Sequence, residues 1–200
     1  MNERVGLAIM RLQPLHRGHC LTINEMIQKC EVAIIGLGST NKKPDKHDPF
    51  TPDVRMQMIR NVYGDRVKII PLVDLNAASK SEWVDYVFQK ISKLGMPEPT
   101  DYFTGSEADA VWYNEHFAKR PNILDYGTRR HYVAEGNQRM PVRFLHIVDR
   151  RQNEIPSASE IRMFIDLHSN EWKKWVPYVN HQLIEDNYPE EFKVPVNEGE

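Results

Sequence analysis

Apolar and polar positions fall into blocks along the first hundred residues, and each block has its own period. Residues 5–10 form a short continuous apolar run, the mark of a strand buried on both faces. After it, Cys20, Ile23, Ile27 and Cys30 recur at helical spacing among polar neighbours, which predicts an amphipathic helix over 17–30. The alternation continues with a strand at 32–38, a helix at 52–63 and a strand at 67–73. A helix at 81–94 follows, with Val84, Val87, Phe88 and Ile91 on one stripe, then a strand at 101–104 and a helix from Ser106. Residues 122–136 show no clear period, 142–148 reads as a late strand, and two helices are predicted at 157–167 and 171–180. Strands that alternate with helices build βαβ units, so the fold class is α/β: a doubly wound parallel sheet with C-terminal helices. In such sheets ligands bind at the carboxyl ends of the strands, where strand order reverses.

A chain of 200 residues has enough material for one good core, so a single domain over 1–188 is predicted, with a charged, flexible tail over 189–200. The 26 basic and 28 acidic residues are spread evenly and leave a net charge of −2. That balance gives no electrostatic case for nucleic acid or an anionic membrane and directs attention to small-molecule partners. Neither a run of the roughly 20 apolar residues that a membrane span needs nor the order of a secretory signal is visible, which predicts a cytoplasmic protein. Cys20 and Cys30 share one helix without redox or metal spacing and read as reduced thiols.

The chemistry is concentrated where the first strand should turn into the first helix: Arg11-Leu-Gln-Pro-Leu-His16-Arg-Gly18-His19. A helix start exposes unpaired N–H groups and the positive end of a dipole, which together favour an anion. Gly18 lets backbone approach a bulky phosphate, and two imidazoles offer donors beside it. Capping alone is the competing account of a histidine in this position. Thr104-Gly105-Ser106 offers a second close backbone approach, or simply a strand-to-helix turn. Farther along, Ser157 and Glu160 have capping-box spacing before Ile161, Phe164 and Ile165. Capping leaves Ser159 and Arg162 unexplained, and an arginine beside a positive dipole end favours a bound anion.

The early His-x-Gly-His and the late Ser-x-Ser-x-x-Arg together resemble the nucleotidyltransferase superfamily. The resemblance narrows to the archaeal-type nicotinamide mononucleotide adenylyltransferases through Ile34 to Ser39, Pro49-Phe50-Thr51, Arg55 with Met58 to Arg60, Trp83-Val84 with Tyr86-Val87, and Phe103-Thr104-Gly105. These matches run in order over about the first 165 residues. The chain departs from the family pattern at Leu12 (usually Phe), Arg17 (Lys), Asp48 (Asn), Val54 (Glu) and Ser159 (Thr), and the stretch 121–151 is longer.

The resemblance implies transfer of an adenylyl group from ATP to nicotinamide mononucleotide, giving NAD and pyrophosphate, with magnesium accompanying ATP. It implies that His16, His19 and Arg162 serve the reaction, His19 at the α-phosphate. It further implies ATP contacts from Arg11, Gly18, Arg55, Gly105, Ser157 and Ser159, a stacking platform for the pyridine ring in Trp83, and a homo-oligomer. No protein metal cage is visible in the sequence. Lys42, Lys43 and Lys46 mark a basic loop that is either solvated or a lid over the triphosphate. Trp112, Trp172 and Trp175 read as core or oligomer contacts. The alternatives are another phosphorylated acceptor (nicotinate mononucleotide, phosphopantetheine or a phospho-sugar alcohol), or a nucleotide sensor without turnover. A fragment of a class I aminoacyl-tRNA synthetase would need a lysine-rich second signature, which is not evident.

Overall fold

The computed structural model describes residues 3–75, 80–106, 123–126, 129–132, 143–148 and 154–195. Its elements are β1 (Val5–Met10), α1 (Arg17–Lys29), β2 (Val32–Leu37), α2 (Pro52–Tyr63), β3 (Lys68–Pro71), α3 (Lys80–Lys93), β4 (Asp101–Thr104), β5 (Ile123–Tyr126), β6 (Arg129–Tyr132), β7 (Arg143–Ile147), α4 (Ala158–Asp166) and α5 (His181–Asn187). The strand order is β3-β2-β1-β4-β7-β6-β5. The first five strands in that order are mutually parallel, as the alternating pattern requires, and β6 and β5 extend the edge antiparallel. The hairpin lies in the stretch 122–136, where no period could be read. The predicted helix from Ser106 and Trp112 lie outside the described residues.

Successive residues of β1 serve opposite faces of the sheet. Ala8 joins Ile23, Met26, Met58, Ile59 and Ile161 in the core shared by α1, α2 and α4. Val5 and Leu7 join Ile34, Ile70, Val87 and Ile91 under α3. Burial on both faces is why the run reads as continuously apolar. Gly6 brings α1 close to β1, since a Cβ there would lie 2.5 Å from Met26 Cγ.

One expectation for the C-terminal part fails. Residues 171–180 do not form one helix: 3-10 turns occupy Asn170–Lys174 and Tyr178–Asn180, separated by Pro177, which lacks an N–H and pushes its predecessor out of helical geometry. The helix comes later, as α5. Within the stretch 189–200, predicted as a charged tail, residues 189–195 are described. A 3-10 turn at Glu190–Phe192 packs Phe192 on Tyr188, with ring centroids 6.5 Å apart, and the Val194 N–H donates to Asp166 O at 2.8 Å. Trp172 is a core residue, and Trp175 packs against the same core. Among the described residues no helix is long and apolar enough to cross a membrane.

Candidate active site

Strand order reverses between β1 and β4, and at their carboxyl ends lies a cavity of about 540 Å³. Arg11 follows β1, His16, Gly18 and His19 open α1, Ser39 follows β2, Asp74 follows β3, Trp83 comes from α3 and Gly105 follows β4; all of them line it. A Cβ at Gly105 would meet nothing within 4 Å, so the glycine faces open cavity.

The two histidines both cap the helix and line the cavity. His16 is the N-cap of α1, where its Nδ1 accepts from the Gly18 N–H at 3.0 Å, and the His16 N–H donates to His19 Nδ1 at 3.4 Å. The result is a capping box made of imidazoles in place of hydroxyl and carboxylate. A nitrogen that accepts from an N–H carries no proton of its own, so each neutral ring is fixed with its proton on Nε2. The rings sit 3.9 Å apart between centroids. Each ring takes part in the cap through Nδ1, and both residues line the cavity.

Two buried arginines hold the loops around the cavity. Arg55, in the first turns of α2, is 1% exposed and does not line the cavity. Its NH1 donates to Arg11 O and to Gly38 O, both at 2.8 Å, and its NH2 donates to Ser39 O at 3.2 Å, while Nε makes no hydrogen bond. Arg162 on α4 donates from NH1 to Gln13 O at 2.6 Å and from NH2 to Ser159 Oγ at 3.1 Å. Burial pushes both guanidinium groups down from their ordinary pKa, and Asp48 offsets part of this for each. The Ser157 hydroxyl caps α4 by accepting from the Glu160 N–H at 3.2 Å, and Glu160 returns a bond to the Ser157 N–H. The sequence therefore identifies Arg55, Arg162, Ser157 and Ser159 as important, but the structure does not bring them to the cavity wall. NH1 and NH2 of both arginines are engaged with backbone carbonyls or with Ser159.

These hydrogen bonds fall on or beside backbone in an uncommon conformation. Leu12 and Ser39 both adopt left-handed φ, at 59° and 56°. For residues with a Cβ that conformation costs roughly 1–2 kcal/mol. Ser39 Oγ also donates to Asp74 at 2.9 Å, and Asn41 and Asp74 exchange hydrogen bonds, so the loop after β2 is tied to the one after β3.

Of the three loop lysines, Lys42 reaches toward the cavity, its Nζ lying 3.6 Å from Asp48 and 3.4 Å from Asp74. Lys43 and Lys46 are exposed. Arg11 stands 3.8 Å from Asp48, with its own side chain 62% exposed. The cations of the site thus rest beside carboxylates. Asp74 and Thr22 are cavity residues that the sequence reading passed over. An acid just past the end of a parallel strand was the available signal for Asp74.

A cytidylyltransferase-like family model matches residues 11–164, from the Arg11 loop through α4. The chain belongs to the cytidylyltransferase-like family. Among relatives of this family member, the nicotinamide-nucleotide adenylyltransferase of Pyrococcus furiosus is 30% identical over 145 residues, 66% of this chain and 73% of that protein. The nicotinamide-nucleotide adenylyltransferase of Methanospirillum hungatei is 39% identical over 85 residues, 41% of this chain and 48% of that protein. The match thus spans about half the length of the second relative. Two solved structures share the fold. A NadR protein in complex with NAD and AMP-PNP has a TM-score of 0.60 at 17% identity, over 92% of this chain and 47% of that one. A bifunctional NMN adenylyltransferase/ADP ribose pyrophosphatase from Francisella tularensis, complexed with AMP and a manganese ion, has a TM-score of 0.54 at 20% identity, over 92% of this chain and 52% of that one.

Proposed function

We propose that this family member transfers an adenylyl group from ATP to nicotinamide mononucleotide, releasing pyrophosphate and forming NAD. The observation that carries the reading is the paired-imidazole start of α1 opening into the cavity that Trp83 and Gly105 also line. In this reaction an oxygen of the mononucleotide 5′-phosphate attacks the α-phosphorus in line. A new P–O bond forms as the bond to the bridging oxygen breaks, and the electron pair leaves on pyrophosphate. A phosphate monoester is already ionised near neutral pH, so no side chain has to remove a proton. The protein's work is positioning and charge stabilisation.

In this reading His16 and His19 present Nε2–H donors to phosphate oxygens, His19 to those of the α-phosphate. Gly18 and Gly105 allow backbone to approach the nucleotide, and Arg11 exchanges Asp48 for phosphate. Trp83 stacks on the acceptor's pyridine ring. Arg162, Ser157 and Ser159 act through the loop that carries Gln13. Among the described residues no group of three or more His, Cys, Asp or Glu is arranged to hold a metal ion. A divalent ion, for which we propose Mg2+, would come with ATP as part of the substrate, and Asp74 is the cavity carboxylate that would help to hold it. Such an ion would supply charge neutralisation for the leaving pyrophosphate. We assign the protein to the cytoplasm, as a homo-oligomer acting on small molecules.

The test is pyrophosphate release with ATP and magnesium across a panel of phosphorylated acceptors, with NAD followed directly and His19→Ala as control. Turnover with nicotinamide mononucleotide that the control lacks is the expected result. Turnover only with another acceptor moves the substrate and keeps the chemistry. Tight ATP binding with no turnover on any acceptor would make the protein a sensor.

A further inference from the structure

Beyond the last ladder pair of β1 and β2, Met10 with Leu37, the two chains diverge into the loops that form the cavity. The carbonyls of Arg11, Gly38 and Ser39 sit just past that pair, where the ladder no longer supplies donors, and one guanidinium serves all three. The family resemblance implies that Arg55 is a phosphate ligand, but the side chain is buried away from the cavity wall with NH1 and NH2 committed to backbone. We propose that Arg55 is a positioning residue for adenylyl transfer: its planar fork sets the spacing between the Arg11–His16 loop and the Gly38–Ser39 loop, and it does not touch substrate. The inference rests on the adenylyl-transfer reading above.

Two features support it. First, the carbonyls that Arg55 holds adjoin or belong to Leu12 and Ser39, the two left-handed residues at this end of the sheet, so the fork sits where the backbone has the strongest tendency to relax. Second, reaching a phosphate would require NH1 and NH2 to release three acceptors, two of them in buried hydrogen bonds. Asp48 and Asp74 provide opposite charge at longer range, which offsets part of the cost of burying the guanidinium. A lysine supplies the charge without the planar fork, and a glutamine supplies donors without the charge.

The experiment compares wild type, Arg55→Lys and Arg55→Gln by steady-state pyrophosphate release, by hydrogen exchange of peptides covering 11–19 and 37–42, and by the salt dependence of ATP binding. Arg55→Lys is expected to lower kcat by about 10- to 100-fold while KM for ATP moves by less than about threefold, because misplacement is felt mainly in the transition state. Both loops should exchange faster together. Arg55→Gln should keep the wild-type slope of log Kd against log salt. Near-normal kcat in Arg55→Lys would overturn the proposal, and so would a flattened salt slope in Arg55→Gln with unchanged loop exchange. Should both variants unfold, side-chain NMR of the wild type decides: adding ATP should shift the Arg11 guanidinium resonances more than those of Arg55, and the reverse order refutes positioning. The ATP-binding, exchange and NMR arms read Arg55 whether or not nicotinamide mononucleotide is the acceptor, so a wrong acceptor shows in the wild-type turnover alone.

Discussion

Arg162 donates to the main-chain carbonyl of Gln13 at 2.6 Å, joining two positions 149 residues apart in the chain. Gln13 in turn closes a two-bond ring with the backbone of Phe50, donating to its carbonyl at 3.0 Å and accepting from its N–H at 2.9 Å. Three separate segments therefore meet at one residue of the loop between β1 and α1.

Removal of this link should cost both stability and rate. Arg162→Ala leaves a buried carbonyl without its donor, worth about 1–3 kcal/mol. For a chain of this size that corresponds to a fall of roughly 3–10 °C in Tm, measurable by calorimetry. Pyrophosphate release should drop about 100-fold, since the Gln13 loop leads directly into His16. An unchanged Tm with lost ATP affinity would instead place Arg162 on the nucleotide.

The double duty of His16 can be separated by side-chain choice. Asparagine keeps an acceptor for the Gly18 N–H and is a good N-cap, whereas alanine keeps neither cap nor imidazole. His16→Asn should melt close to wild type and His16→Ala about 2–4 °C lower, following a cap loss of about 1 kcal/mol. Both should lose most turnover, because neither has an Nε2–H in the cavity. If His16→Asn turns over normally, the ring is a cap and nothing more.

The legible part of this protein was the part with local causes. Residues 5–104 announce strand and helix by period, and the strands that result carry the His16–His19 motif to the cavity as the doubly wound sheet requires. Arg55 and Arg162 could be picked out as residues that belong near the site, but not what they bond to. Apart from the Ser159 hydroxyl beside Arg162, their partners are backbone carbonyls 16 to 149 positions away, which leave no trace in side-chain identity. The failure at 171–180 has a different cause: apolar spacing persists through Pro177, and the covalent restriction at that proline overrides it.

A second buried polar cluster, at the opposite end of the sheet, predicts the acid limit of the fold. Asp101 is fully buried; it accepts from both Arg4 and Thr100 and lies 2.7 Å from His146 Nε2, whose ring stacks on Phe103 at 4.2 Å. Burial works to raise its carboxyl, but the hydrogen bonds from His146, Arg4 and Thr100 outweigh it and hold the pKa at about 2 against an ordinary 3.8. The folded protein thus binds this proton less tightly than the unfolded chain does, so the group's contribution is full above about pH 4 and is lost as pH falls toward 2. Asp101→Asn should remove about 2 kcal/mol near neutral pH and flatten the fall in Tm between pH 4 and 2. Parallel acid-melting curves for the two proteins would rule out this source.

Trp83 stands early in α3, on the cavity wall and against the core beneath it, so its indole is supported from behind. A platform of this kind gains most from a cationic ring, because the indole face is electron-rich and a desolvated cation over it is worth about 1–2 kcal/mol. Oxidised nicotinamide mononucleotide carries that charge and its reduced form does not, while phosphate and ribose are the same in both. The wild-type protein should therefore favour the oxidised acceptor by about 5- to 30-fold in KM, the equivalent of that energy. Trp83→Leu keeps apolar bulk against the core and removes the π face. It should raise KM for the oxidised acceptor toward the value for the reduced one and leave KM for ATP in place. Steady-state kinetics with both acceptors on both proteins decides the matter. An undiminished preference in Trp83→Leu would mean that the charge is recognised elsewhere, with the Asp74 carboxylate on the same wall as the first place to look.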